Sequence, residues 1–145
     1  MLALLTTQIS CSSSPYNYDF TEITLSRGGC FGTCPVYKLT IEDDGKVTYQ
    51  GDKFVKIKGK KESTLSNAKL KEIKAAFKKV DYFNLKDSYI KTDATDMPTI
   101  ITSFKTKSKR KEIVHYHGDF GAPKKLTHLE ERIDIIVNTN KWTGM

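Results

Sequence analysis

Cysteine is scarce in this chain, with three in 145 residues, which excludes a scaffold held mainly by disulfides and a cysteine-rich zinc fold. Long apolar runs are missing as well: no stretch approaches the ~18 to 20 residues that a bilayer-crossing helix needs. Acidic residues are outnumbered, 17 against 24 basic, for a net charge of +7 and a pI near 9.2. The lysine excess lies in Lys53 to Lys79 and in the run Lys105 to Lys111. Such a charge can face phosphate. Exposed aromatics are not interleaved with it, so it reads as a solvated face and no nucleic-acid partner is expected. No strained turn or spacing singles out a nucleophile among the serines and histidines, so no enzyme activity and no cofactor are expected.

What is present fits one domain of ordinary size. With 38% hydrophobic and 28% charged residues and a mean hydropathy of -0.46, the chain can bury a single core without metals or many disulfides. Its first ten residues, Met1 to Ser10, look like the apolar end of a secretory signal. Ser10-Cys11 followed by Ser12-Ser13-Ser14 resembles a lipoprotein cleavage site with a polar tether. Two features depart from that pattern: no Lys or Arg precedes the apolar run, and Gln8 stands where Leu is usual. The plain alternative is an apolar N-terminus with an ordinary free cysteine. Residues 1–19 are therefore expected to be signal remnant, lipidation site and tether, and residues 20–145 a single domain.

The rest alternates strand and helix patterns. Val36 to Glu42 and Lys46 to Gln50 alternate apolar and polar residues around Asp43-Asp44-Gly45, a turn signal. A three-residue loop pairs Ile41 with Val47 and Leu39 with Tyr49, which puts Tyr37, Leu39, Ile41, Val47 and Tyr49 on one face with Gly45 left-handed. A two-residue turn would split them between faces. Phe54 to Lys61 offers a third strand, and Ser66 to Val80 a helix with Leu70, Ile73, Phe77 and Val80 inward. The order then repeats: a hairpin from Thr99 to Phe104 and Lys111 to His117, and a helix from Pro123 to about Thr139 with Leu126, Leu129, Ile133 and Ile136 inward. Val47-Thr-Tyr49-Gln-Gly51-Asp52 matches Val114-His-Tyr116-His-Gly118-Asp119 at every second position. This is either a duplicated unit or the common preference for Val and Tyr in half-buried strands. The expected architecture is α+β: two β-hairpin-plus-helix units forming an antiparallel sheet with both helices packed on one face.

Chemistry centres on Cys30-Phe31-Gly32-Thr33-Cys34-Pro35. A thioredoxin-type pair has two intervening residues and opens a helix whose dipole activates the thiol. Here three residues intervene and a strand pattern follows, so a structural disulfide between Cys30 and Cys34 is expected, with redox exchange the alternative. Gly28-Gly29 gives a flexible entry and Pro35 a rigid exit. Arg27, placed on the loop that the pair anchors, is then suited to a carboxylate or phosphate. A metal alternative joins Cys30 and Cys34 to His115 and His117, four tetrahedral ligands without a zinc spacing motif. The plain reading of those histidines is a solvated strand face. Asp93 and Asp96 before Pro98 read as turn formers.

The run Leu25-Ser-Arg27-Gly-Gly-Cys30-Phe-Gly-Thr-Cys34-Pro-Val-Tyr37, with Ile41, Asp44-Gly45-Lys-Val47-Thr-Tyr49-Gln-Gly51, Thr95-Asp96-Met-Pro98-Thr99, the His-Tyr-His-Gly run and the final helix with Trp142, resembles an uncharacterised bacterial domain family found in secreted and lipid-anchored proteins. The resemblance implies motif positions Arg27, Cys30, Gly32, Cys34, Pro35, Tyr37 and Asp96 without assigned roles. The expected function is a cell-envelope binding or structural module, lipid-anchored through Cys11 in the outer membrane or periplasm. Its expected partners are the membrane and an envelope protein or anionic ligand. The alternative is a thiol-disulfide or metal-handling protein that uses Cys30 and Cys34.

Overall fold

A computed structural model describes residues 15–145; Cys11 and the expected signal remnant lie outside the described residues. The elements in chain order are β1 (Phe20–Arg27), β2 (Val36–Glu42), β3 (Lys46–Lys53), β4 (Gly59–Thr64), α1 (Asn67–Lys79), a 3₁₀ turn at Tyr82–Asn84, β5 (Ser88–Tyr89), β6 (Thr99–Thr106), β7 (Arg110–Tyr116), α2 (Lys124–Val137) and α3 (Asn140–Thr143). The strands form one sheet in the order β4-β3-β2-β1-β6-β7-β5. All neighbours run antiparallel except β5 and β7, which are parallel. The fold is thus mixed α and β, and its sheet is larger than two hairpins.

The first hairpin has the three-residue loop. Ile41 faces Val47 and Leu39 faces Tyr49, and Gly45 sits at φ +95° with no room for a β-carbon against the Leu65 carbonyl. That register puts Tyr37, Leu39, Ile41, Val47 and Tyr49 in the core together. The third strand begins later than expected. Phe54 turns the chain at φ 54°, and the segment after it is held by the C-terminus, where the Ile57 N–H donates to the Trp142 carbonyl at 2.8 Å.

Sequence patterning passes over the central strand. In β1, Ile23 and Leu25 alternate with Thr24 and Ser26, but a register shift between Phe20 and Glu22 breaks the period and lets Phe20 point inward too. Arg27, expected on a loop, is the last residue of this strand. The packed body also begins ahead of Phe20: Tyr18 is buried and its ring lies 5.1 Å from that of Phe83.

Both helices cover one face. Phe77 of α1 packs on Phe104 of β6 at 4.8 Å, and Glu130 of α2 meets His115 of β7. Phe104 and His115 share that face, because His115 pairs with Ile100, four residues from Phe104. Ser66 caps α1 by accepting the Lys69 N–H, while Lys78 and Lys79 lie in its last turn, where a positive charge is favoured. Pro123 stands at the cap of α2, one position before the first turn, and Asn138 ends the helix at φ 63°. Ile73, Phe77, Leu126, Leu129, Ile133 and Ile136 are buried as expected, with Leu70 at the margin. Each such side chain contributes about 1.5 to 3 kcal/mol through burial.

Candidate functional site

At one end of the sheet the helix-facing row across the strands reads Gly51, Tyr37, Arg27, Ile100, His115. Helix α2 lies over it, and places two carboxylates, Glu130 and Asp134, one turn apart. Asp134 takes the Arg27 guanidinium at 2.6 Å, a second Arg27 N–H at 2.8 Å, the Tyr37 hydroxyl at 2.6 Å and the Thr139 hydroxyl at 3.0 Å. Burial works to lower the Arg27 pKa, but the Asp134 charge outweighs it and holds the guanidinium above its ordinary value. Burial and the same carboxylate push the Tyr37 phenol far up. The anion expected at Arg27 is therefore supplied by the chain itself.

Beside this pair lies a cleft of about 500 Å³ lined by Arg27, Gly28, Cys34, Pro35 and Tyr37 on one side and by Pro98, Ile100, Ile135 and Met145, among others, on the rest. Four of the seven motif positions, Arg27, Cys34, Pro35 and Tyr37, thus meet at one cavity. Cys30 and Cys34 lie at disulfide distance, with Cα atoms 5.7 Å apart. The chain then enters β2 rather than a helix, so neither cysteine sits at the start of a helix that would activate its thiol. Gly28 is seated against the Thr99 carbonyl, which a β-carbon would approach to 3.0 Å. Gly32 and Asp96 do not line the cleft. The Asp96 carbonyl accepts the Phe31 N–H at 3.2 Å and so ties the cysteine loop to the segment before β6. Phe31 itself projects outward, 87% exposed.

The second carboxylate corrects the expectation for the histidines. His115 and His117 are not on a solvated face: His115 is 3% exposed, and both rings turn under α2. His115 Nδ1 lies 2.6 Å from one Glu130 oxygen and His117 Nε2 lies 2.7 Å from the other. Burial works to raise the Glu130 pKa, and the hydrogen bonds from the two imidazoles outweigh it, holding the carboxyl below its ordinary value. Among the described residues this trio is the group whose ligand atoms converge, all within 4.8 Å of one another. No cysteine belongs to it, so the four-ligand set of Cys30, Cys34, His115 and His117 is not assembled.

Glu130 and Asp134 escaped the sequence reading, although a signal existed. Glu130 falls four residues after Leu126 and three before Ile133, on the inward face of its helix. A charged residue in that register marks a buried partner waiting on the sheet.

Residues 21–137 match a family described as a domain of unknown function, DUF6438. The match spans most of the chain, and the chain belongs to that family. Comparison with curated proteins gives no match.

Proposed function

We propose that this chain is a binding module of the cell envelope, tethered through Cys11, that takes a largely apolar ligand in the cleft between the Cys34-Pro35 segment and the end of α2. The observation that carries the reading is the convergence of Arg27, Cys34, Pro35 and Tyr37 on one cavity with an apolar wall of Pro98, Ile100, Ile135 and Met145 and a polar rim that includes Glu131, Asp134, Thr139 and Thr143. An apolar cavity with a few fixed polar groups is the usual form of a small-molecule site. Arg27, Tyr37 and Thr139 are held rigid by Asp134, so the polar rim is pre-organised and little ordering cost falls on binding. The Cys30–Cys34 link acts in this reading as a clamp on one wall. Closing so short a loop contributes about 2 kcal/mol in the chain-entropy account.

The experiment uses anilinonaphthalene sulfonate, an apolar fluorophore, with the wild-type chain and with Ile135→Glu. Ile135 is 63% exposed, so the charge enters the cleft without entering the core. Fluorescence enhancement with the wild type and most of it lost in the variant is the expected result; equal enhancement in both moves the ligand elsewhere. Cys11→Ser should shift the protein from the membrane fraction to the soluble fraction with its unfolding midpoint unchanged, because in this reading the lipid on Cys11 supplies the membrane affinity and residues 20–145 supply the fold. An unchanged distribution ends the lipid-anchor reading and leaves the cleft to be judged by the fluorophore alone.

A further inference from the structure

We propose that His115, His117 and Glu130 form a binding site for a divalent d-block cation, zinc first among them, with His115 Nδ1, His117 Nε2 and a Glu130 carboxylate oxygen as protein ligands and water in the remaining position.

The site is built from two rigid elements. The histidines alternate along the end of β7 onto one face, and the N–H of His117 is fixed to the Pro98 carbonyl at 3.0 Å. Glu130 comes down from α2, flanked on its own helix by the buried Leu126, Leu129 and Ile133. Two imidazoles and a carboxylate are the donor set that zinc takes in open sites, leaving room for a water or substrate. Access exists on one side only: Glu130 is 1% and His115 3% exposed, whereas His117 is 20% exposed.

The spacing is that of a site closed by protons. Ring nitrogen and carboxylate now sit 2.6 and 2.7 Å apart, which is a hydrogen bond with N–H in between. Zinc bonds of about 2.0 to 2.1 Å at tetrahedral angles set neighbouring donors roughly 3.3 Å apart. Against the two different Glu130 oxygens they now face, the His115 pair opens by about 0.7 Å and the His117 pair by about 0.6 Å, and the carboxylate turns to present one oxygen to the cation. Binding is a proton rearrangement without redox change. The N–H proton on the nitrogen that faces Glu130 moves through solvent to the other ring nitrogen of the same imidazole, and the freed lone pair bonds the cation.

A purely structural role explains the trio poorly. A buried ionic cluster is commonly no better for stability than apolar side chains of similar volume. In the first hairpin the helix-facing positions of the returning strand are Val47, Tyr49 and Gly51, with no charge among them. Positions 115 and 117 face the same helix layer, and two imidazoles around a carboxylate add ligand chemistry there rather than extra burial.

The test is titration of chelator-treated, tag-free protein with Zn²⁺ by calorimetry and with Co²⁺ by electronic absorption, together with nitrogen NMR of the histidine rings in the wild-type chain. The expected result is about one equivalent bound, a tetrahedral Co²⁺ d–d band, and large shifts on zinc addition at Nδ1 of His115 and Nε2 of His117. His117→Gln and Glu130→Gln should each weaken binding by at least about tenfold, while His128→Gln, the third histidine, leaves it unchanged. Absence of a Co²⁺ band in the wild type, ring shifts confined to His128, or undiminished binding in folded His117→Gln would each overturn the site. The ring NMR needs no variant, so a variant that fails to fold leaves the proposal open to disproof. None of these outcomes depends on the cleft.

Discussion

The two hairpins of this sheet carry the same six-residue pattern on their returning strands and use it on opposite faces. In β3, Tyr49 points toward the helices, stacks on Trp142 at 4.9 Å and donates its hydroxyl to the Ile57 carbonyl at 3.0 Å. In β7, Tyr116 points away from the helices and donates to the Ala94 carbonyl at 2.8 Å. The glycine two residues on is packed against the tyrosine ring and that same carbonyl in each case. Tyrosine, glycine and loop carbonyl are thus a local device that pins a connecting segment to a strand, whichever side of the sheet the strand presents. Register decides the side, and with it what fills the core. Because the pattern faces outward in β7, the residues between its matched positions, His115 and His117, are the ones turned under α2. A one-residue offset between two similar strands exchanges an apolar face for a polar cluster.

The largest effect should come from filling the glycine positions. A β-carbon at Gly51 would overlap the Ile57 carbonyl and the Tyr49 hydroxyl, and one at Gly118 the Ala94 carbonyl and the Tyr116 ring. Gly51→Val and Gly118→Val should each cost about 3 kcal/mol or more, since backbone on one side and a packed ring on the other leave nothing to move cheaply. Urea unfolding midpoints check this. A costly Gly51→Val beside a neutral Gly118→Val would show that the two hairpins share a spelling and not a device.

A second difference lies in what each carboxylate of α2 meets on the sheet. Asp134 meets a permanent cation and a phenol, Arg27 and Tyr37, whereas Glu130 one turn earlier meets two imidazoles. Asp134→Ala leaves the guanidinium with 16% of its side chain exposed and without its counter-charge. It should destabilise the chain by about 2 kcal/mol, less than a fully buried pair because some solvent reaches it. The double variant Arg27→Met, Asp134→Leu should recover part of that loss, because it removes the desolvated charge together with its partner. A double variant no more stable than Asp134→Ala would mean that the pair orients the cleft wall in a way apolar packing cannot replace.

Strong local periodicity made much of this molecule legible in its sequence. Ile41 against Val47 follows from keeping five apolar side chains on one face, and Ile73, Phe77, Leu126 and Ile133 follow from helical spacing. Central β1 was hidden because its bulge at Phe20 to Glu22 breaks the alternation, and because Arg27 at its end looks like a loop residue until Asp134 is seen above it. Short β5 has two residues and a parallel partner far along the chain, so no local pattern could announce it. The histidine cluster was misplaced for a related reason. An alternating segment such as Val114-His-Tyr116-His has two faces of similar hydrophobicity, and only the tertiary choice of which one meets α2 settles the matter. The cleft likewise joins residues from β1, β2, β6, α2 and the last residues of the chain, a juxtaposition set by the order of strands and the helix laid over them rather than by any one segment.

The smallest effects separate the two tyrosines most finely. Removing only the hydroxyl keeps each ring, each glycine contact and each strand in place, so the loss is that of the hydroxyl's own hydrogen bonds: one at Tyr49, and at Tyr116 the bond to Ala94 with a long, 3.4 Å one accepted from the exposed Met97 N–H. Tyr49 is fully buried, and its phenol is the group that meets the Ile57 carbonyl behind the Trp142 ring; water replaces that bond poorly, and Tyr49→Phe should cost about 1 kcal/mol or slightly more. Tyr116 is half-buried on the outer face, where solvent reaches the Ala94 side of the bond, so Tyr116→Phe should cost only about 0.5 kcal/mol. The two bonds lie on opposite faces of the sheet and share no partner, which makes the double variant's loss the sum of the singles to within about 0.5 kcal/mol. Chemical denaturation of the three variants measures all of this in one series. Equal losses at both positions would place the Ala94 carbonyl as far from water as that of Ile57, and a double variant well off the sum would reveal coupling through the sheet that the opposed faces argue against.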